Sequence, residues 1–239
     1  MKFFNGEAVI LRKYPIREKD EILLVLTKSF GKMSLVAHGS RDPMGKKTSA
    51  VELFNTIAFQ AREPGNKKAE NKHNLAVIQQ VKLLKSRGFG VVASGEDNLA
   101  AFYRTTEILK LTDYFLKEMQ YVEGVYEDLN TALDLFLEPN IGLIYKIRLY
   151  SDLGYVPDWS QCCVCNKKLA LEGELRYFPD HHGFVHDRCA EIGSGPVACD
   201  MVKLMSFWQK AGMADGVRVE VEPGIIVGIE NVLNGIQIE

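Results

Sequence analysis

No stretch of this 239-residue sequence approaches the ~18 consecutive apolar residues that a membrane-spanning helix needs. The opening Met1 to Gly6 lacks the charged and then apolar blocks of a secretory leader, and the chain contains no internal repeat and no low-complexity tract. Also missing are the phosphate loop G-x-x-x-x-G-K-S/T, a G-x-G-x-x-G following a strand, H-E-x-x-H and G-x-S-x-G. With them go the nucleotide cradle, the metalloprotease pair and the nucleophile elbow. Gly88-Phe-Gly90 is only a fragment of a weak motif and reads as linker, and His38 has no second group set beside it by sequence, so no catalytic residue is expected. At 46% hydrophobic and 25% charged, the composition excludes a disordered chain, a collagen-like fibre and a disulfide-stapled miniprotein. These readings predict a soluble cytosolic protein with more than one core and no membrane partner.

What is present begins with cysteine. Five is an odd number, and four of the five fall between Cys162 and Cys189, which suits a metal site better than disulfides. Cys162-Cys-Val-Cys165 and His186-Asp-Arg-Cys189 each offer ligands three positions apart. A C-x2-C turn points two thiolates to one side, and a second knuckle completes the tetrahedron that Zn²⁺ prefers. Cys163, Cys199, His181 and His182 are also competent donors, and the chosen set is Cys162, Cys165, His186 and Cys189, holding one structural Zn²⁺. A redox dithiol would want a βαβ context, and a catalytic zinc would want an open position beside a base. The sequence supplies neither. The strand at Glu174–Phe178 and the turn at Gly183-Phe-Val are placed to make a ribbon hairpin, and Cys199 reads as a small buried residue.

Charge divides the chain. Residues 1–87 hold 17 Lys+Arg against 8 Asp+Glu, a balance of +9, while residues 88–239 hold 12 against 23, a balance of −11. A basic module on an acidic body points to a polyanion bound at the N-terminal end. Short β-rich runs at 7–12, 21–27, 32–38, 53–61 and 75–83 predict five strands in a small closed barrel, with a tight turn at Ser29–Lys32 making a hairpin of the second and third. Glu63 to Lys72 is polar and breaker-rich and reads as an exposed, mobile connection. Barrels that bind single strands combine a cationic groove with aromatic platforms. The candidates are Arg12, Lys13, Arg17, Lys19, Lys32, Arg41, Lys46 and Lys47 beside Tyr14 and His38. Gly39-Ser-Arg41 and Gly45-Lys-Lys47 are expected in a loop that reaches phosphates.

Past Gly95 the period changes to about 3.6. Asp97 is expected to cap a helix with the apolar stripe Leu99, Phe102, Tyr103, Leu109 and Leu116. Val122, Val125, Tyr126, Leu129, Leu133 and Phe136 mark a second helix, stopped by Pro139. Asn140 opens a third, with Ile141, Ile144 and Tyr145 inward and Gly154 as its left-handed terminator. Two more segments, near 201–212 and 223–234, are predicted to be helical. The aromatic stripes read as core. The resulting division is an α+β chain, with a barrel over 1–87 and a helical domain over 88–239 that carries a zinc-binding insertion at about 159–198.

Four stretches together resemble the RecO family of bacterial DNA repair proteins: Glu7–Arg12, Glu18–Val25, Gly31–Ala37 with Gly39-Ser-Arg41, and Leu149–Cys165 with its Gly154-Tyr-Val-Pro-Asp158. The resemblance runs over nearly the whole chain. It implies an OB-fold followed by a helical domain, and a non-enzymatic role in recombinational gap repair shared with RecF and RecR. It implies binding of single- and double-stranded DNA, annealing of complementary strands, and contact with RecR and with the acidic tail of the single-stranded DNA-binding protein. RecA is then helped onto gapped DNA, in the bacterial cytoplasm at the nucleoid. For the acidic tail, Arg104, Lys110, Lys117, Lys146 and Arg148 are the cations available on the first and third helices. Many zinc-bearing relatives have a second C-x2-C where this chain has His186-x2-Cys189; histidine is a competent ligand, so the site is kept. Two other classes fit the same residues: a zinc-dependent enzyme acting on nucleic acid, and a zinc-stabilised adaptor whose basic module binds an acidic protein.

Overall fold

The computed structural model describes residues 3–45, 47–63, 75–87, 96–169 and 173–236, and of 96–98 the backbone alone. The chain divides into two compact units, Met1–Leu137 and Glu138–Glu239. In the first, strands β1 (Phe3–Pro15), β2 (Glu21–Thr27), β3 (Gly31–Ala37), β4 (Thr56–Arg62) and β5 (Ala76–Lys85) close a barrel in the order β1-β2-β3-β5-β4. Every join is antiparallel except β3 with β5, the arrangement of an OB-fold. All five predicted strands are present, within three residues at either end except for β1, which begins four residues early.

Period two explains the barrel interior. Ala8 and Ile10, Leu23 and Val25, Met33, Leu35 and Ala37, Ile57, Phe59 and Ala61, and Ala76 and Ile78 all enter one buried cluster. Each large aliphatic side chain there contributes roughly 1.5–3 kcal/mol by leaving water. In the β2–β3 turn, the Thr27 hydroxyl donates to the Gly31 carbonyl and accepts from the Phe30 N–H. Gly31 has φ of 72°, and a Cβ there would run into the backbone of Gln120, so only glycine fits this turn.

Helices α1 (Glu96–Phe115) and α2 (Val125–Asp134) complete this unit. The α1 stripe differs from the one expected, and Asp97 lies inside the first turn instead of capping it. Its buried residues are Ala101, Thr105, Ile108, Leu109 and Thr112, with Leu116 buried just past its end, whereas Leu99, Phe102 and Tyr103 are exposed. The reason is that Thr105 and Thr112 donate to the carbonyls of Ala101 and Ile108 one turn back, so polar residues are buried without loss. Beyond α1, the Met119 N–H donates to the Lys32 carbonyl at 2.6 Å. Arg87, its side chain only 3% exposed, donates to the Phe54 carbonyl, Thr56 and Asn130 and pairs with Asp134. It ties the barrel to α2. The predicted linker at Gly88–Gly90 and, apart from Glu63, the 63–72 connection lie outside the described residues.

In the second unit, α3 (Ile141–Asp152) buries Ile141, Ile144 and Tyr145 as expected. Gly154, at φ of 76°, ends it in a Schellman motif: its own N–H bonds to the Ser151 carbonyl and that of Tyr155 to the Tyr150 carbonyl. Strands β6 (Leu175–Phe178), β7 (Gly183–His186) and β8 (Gly195–Val197) form a sheet in the order β7-β6-β8. Helices α4 (Cys199–Lys210), α5 (Met213–Gly216) and α6 (Pro223–Gly235) follow; the short α5 has no periodic signal and was not expected. Among the described residues no helix is long and apolar enough to cross a membrane.

Candidate metal centre and nucleic-acid interface

Cys162, Cys165, His186 and Cys189 come together with all four ligand atoms within 4.8 Å of one another. The first pair sits on a tight knuckle: the Asn166 N–H bonds to the Cys162 carbonyl at 2.8 Å, with Asn166 at φ of 58°. His186 ends β7, and Cys189 closes the 3-10 turn Asp187–Cys189. From His186, Nδ1 lies 3.6 Å from Cys165 Sγ and 3.9 Å from Cys189 Sγ. A zinc tetrahedron with Zn–S near ~2.3 Å and Zn–N near ~2.0 Å has edges of about 3.5–3.8 Å, so the four donors fit the ion. His186 Nε2 faces the Lys168 carbonyl at 3.3 Å. A carbonyl only accepts, so Nε2 carries the proton and the Nδ1 lone pair is left facing the sulfurs.

Burial alone would push the Cys162 thiol up, but backbone N–H groups of Cys165, His186 and Val164 and the Cys165 side chain outweigh it and draw it down to about 6. Thiolate is the form a metal binds. Cys163 goes the other way, raised by burial and by the neighbouring Cys162. The other candidate donors stand apart: Cys163 packs against Gly183, and Cys199 Sγ bonds to the Gly173 carbonyl. His181 and His182 are outside the cluster. The approach from α3 is pinned by Gln209 of α4, which accepts from the Trp159 N–H and donates to the Pro157 carbonyl. Trp159 is buried against Phe184, with its indole N–H on the His182 carbonyl. A set of four protein ligands leaves no position for water, the mark of a structural site.

At one end of the barrel the turn between β1 and β2 is zippered to the loop after β3. The Arg41 N–H donates to the Lys19 carbonyl, and its guanidinium reaches the Arg17 carbonyl. Lys19 pairs with Asp42 at 2.8 Å. Asp20 accepts from the Gly39 N–H and pairs with His38. Burial would raise the Asp20 carboxyl, yet the Gly39 N–H and His38 hold it below its ordinary value. Arg17, Lys19 and Arg41 thus emerge together and exposed.

The remaining cations have other duties. A register shift between Ile10 and Arg12 inserts Leu11 as an extra residue in β1. Parity therefore flips, and Lys13 shares the inward face with Leu23 while Arg12 and Tyr14 face out. Lys13 is spent on Glu21 and Glu52. Arg12 and Lys32 converge on Asp113 of α1, which no sequence signal singled out, and Arg12 also lies 5.7 Å over the Tyr14 ring. Lys47 turns in to the Ile78 carbonyl, and burial lowers its pKa. Lys46 lies outside the described residues. Of the cations considered for an acidic tail, Arg104 and Lys110 sit on α1, with Lys117 just beyond it, in the first unit; Lys146 and Arg148 are on α3 in the second. Arg104 reaches the Leu137 carbonyl, Lys110 pairs with Glu107, Lys146 meets Asn234 and Arg148 donates to the Ala211 carbonyl.

Two family models match the chain, Recombination protein O N terminal over residues 1–87 and Recombination protein O C terminal over residues 96–236. A DNA repair protein RecO of Caldanaerobacter subterraneus subsp. tengcongensis is 30% identical over 237 residues, covering 95% of this chain and 87% of that one. Those of Thermoanaerobacter sp. and Symbiobacterium thermophilum are 29% and 25% identical, covering 77% and 82% of this chain and 69% and 74% of theirs. An OB-fold barrel, a four-ligand Cys/His cluster and two matched models spanning nearly the whole length agree: the chain belongs to the RecO family of DNA repair and recombination proteins.

Proposed function

We propose that this chain is a non-enzymatic mediator of recombinational repair. It binds single- and double-stranded DNA through the module of residues 1–87, anneals complementary strands and, with RecR, helps RecA displace the single-stranded DNA-binding protein from gapped DNA. It acts in the bacterial cytoplasm, at the nucleoid. The observation that carries this reading is the cluster of Arg17, Lys19 and Arg41, exposed at one end of an OB-fold barrel by loops bonded to each other. Long cations on a rigid rim meet phosphates without base identity, which suits a protein that acts on any sequence. Zn²⁺ at Cys162, Cys165, His186 and Cys189 serves as scaffold, and the cations available to the acidic tail are Arg104, Lys110 and Lys117 in the first unit and Lys146 and Arg148 in the second.

Annealing of complementary oligonucleotides across a salt series, with product analysis, tests the proposal. A mediator accelerates annealing, loses affinity steeply with salt and leaves both strands chemically intact. Cleaved or modified strands would mean an enzyme, and absence of salt-dependent DNA binding would mean a protein adaptor. Titration with a tail peptide tests these cations; unchanged affinity after reversing all five would remove them from the account.

A further inference from the structure

Within the first unit a cleft of about 560 Å³ lies between β1 and α1, lined by Arg12, Glu107, Lys110, Leu111, Asp113 and Tyr114. That is the size of a small-ligand site, ~300–1,000 Å³. Tyr114 is 76% exposed, an unusual position for so large a ring, and it meets Phe115 in a T-shaped pair with centroids 4.9 Å apart. On the barrel side Arg12 lies over the ring of Tyr14, itself 43% exposed.

The charges decide what fits. Lys110 is matched by Glu107, and Arg12 shares Asp113 with Lys32. Carboxylates and cations stand side by side along the lining, so acceptors and donors are offered together: a nucleobase stacks its ring on tyrosine, its exocyclic amines donate to carboxylates, and its carbonyls and ring nitrogens accept from the cations. We infer that this cleft is a nucleobase subsite, in which Tyr114 of α1 stacks an unpaired base of single-stranded DNA. The inference rests on the proposed DNA-binding role and extends its path from the phosphate-facing rim onto α1. Because every base has a π face, the subsite tolerates sequence, and because a paired base is not available to it, it discriminates single strands from duplex.

Anisotropy titrations of a labelled single strand and of a duplex, repeated across salt, test the subsite. Tyr114→Ala is expected to weaken single-strand binding by about five-fold or more, the loss of one stacking contact. Duplex affinity and the salt slope stay unchanged, and Tyr114→Phe binds like the unsubstituted chain. Reversal of Arg17, Lys19 and Arg41 serves as the control, weakening both ligands and flattening the slope. If that control behaves so while Tyr114→Ala binds single strands normally, or loses duplex equally, the subsite is wrong and the parent reading stands. If the unsubstituted chain binds neither DNA, both are wrong. A variant that fails to fold is bypassed by photocrosslinking the unsubstituted chain to a 5-iododeoxyuridine oligonucleotide. The adduct is expected in the tryptic peptide Leu111–Lys117, and its absence there overturns the assignment.

Discussion

The two units keep their shape by different means. The barrel of Met1–Leu137 encloses a continuous apolar cluster drawn from all five strands, and its cations are left to the rim or to partners such as Asp113, Glu52 and the Ile78 carbonyl. The sheet of the second unit has strands of only four, four and three residues, and it gathers three thiols and an imidazole in their place. Short strands bury little area, and a metal held by these four ligands would supply there what apolar contact supplies in the barrel. The lesson is that ligand chemistry and hydrophobic burial are interchangeable as sources of order, but not in their sensitivities. One answers to chelators and acid, the other to cavity size.

Metal removal should break that comparison most sharply. Structural zinc contributes roughly 10–16 kcal/mol in small zinc-binding folds. Chelation, or Cys162→Ser, is therefore expected to open the 159–198 region to protease while the barrel keeps its melting transition and its DNA affinity. Metal analysis should return one zinc per chain. Zinc-free protein with an unchanged protease pattern would remove metal from the account.

The converse change is Leu35→Ala in the barrel core, where Leu35 is fully buried. A cavity of that kind costs about 2–5 kcal/mol. The barrel transition should fall and DNA binding weaken with it, while zinc content holds. Loss of zinc alongside would show that the two units do not keep their order separately.

A smaller effect is expected at the rim. Reversing Arg17, Lys19 and Arg41 together should leave both transitions in place and weaken DNA binding for all sequences alike. Each lost phosphate contact should reduce the slope of log affinity against log salt by roughly 0.7 for single strands and 0.9 for duplex. An unchanged slope would move the interface elsewhere on the molecule.

The smallest effect is expected from Asp20→Asn, at about 1 kcal/mol, the net worth of a typical hydrogen bond. Asp20 has its pKa held down in the fold against the pull of burial, chiefly by the Gly39 N–H and His38. Its contribution is therefore present above the ordinary carboxylate value of ~3.9 and is lost as pH falls through the lower folded value. Melting of the variant and the unsubstituted protein should differ at neutral pH and converge in acid. A constant gap across pH would show that the carboxylate charge has no part in holding the loops.

Much of this was legible in the residues. The five strands follow from alternation bounded by turn chemistry, and Gly154 marks the end of α3 because a left-handed residue there completes a Schellman motif. The Cys/His ligands were legible because tetrahedral coordination imposes a spacing that sequence displays directly. The α1 stripe was misread because threonine counts as polar until its hydroxyl finds a carbonyl one turn back.

By itself, then, the sequence determined the barrel, the order of helices, the four-ligand cluster and the basic sign of the first 87 residues. Each depends on local pattern or on composition. Only the tertiary structure decided which cations stay exposed at the rim. One extra residue at Leu11 shifts the β1 register and turns Lys13 inward to Glu21 and Glu52; Asp113, about a hundred residues away in sequence, takes Arg12 and Lys32; and the Ile78 carbonyl takes Lys47. A side chain's charge is written in its own residue type, but its availability is set by partners that only the folded chain brings within reach.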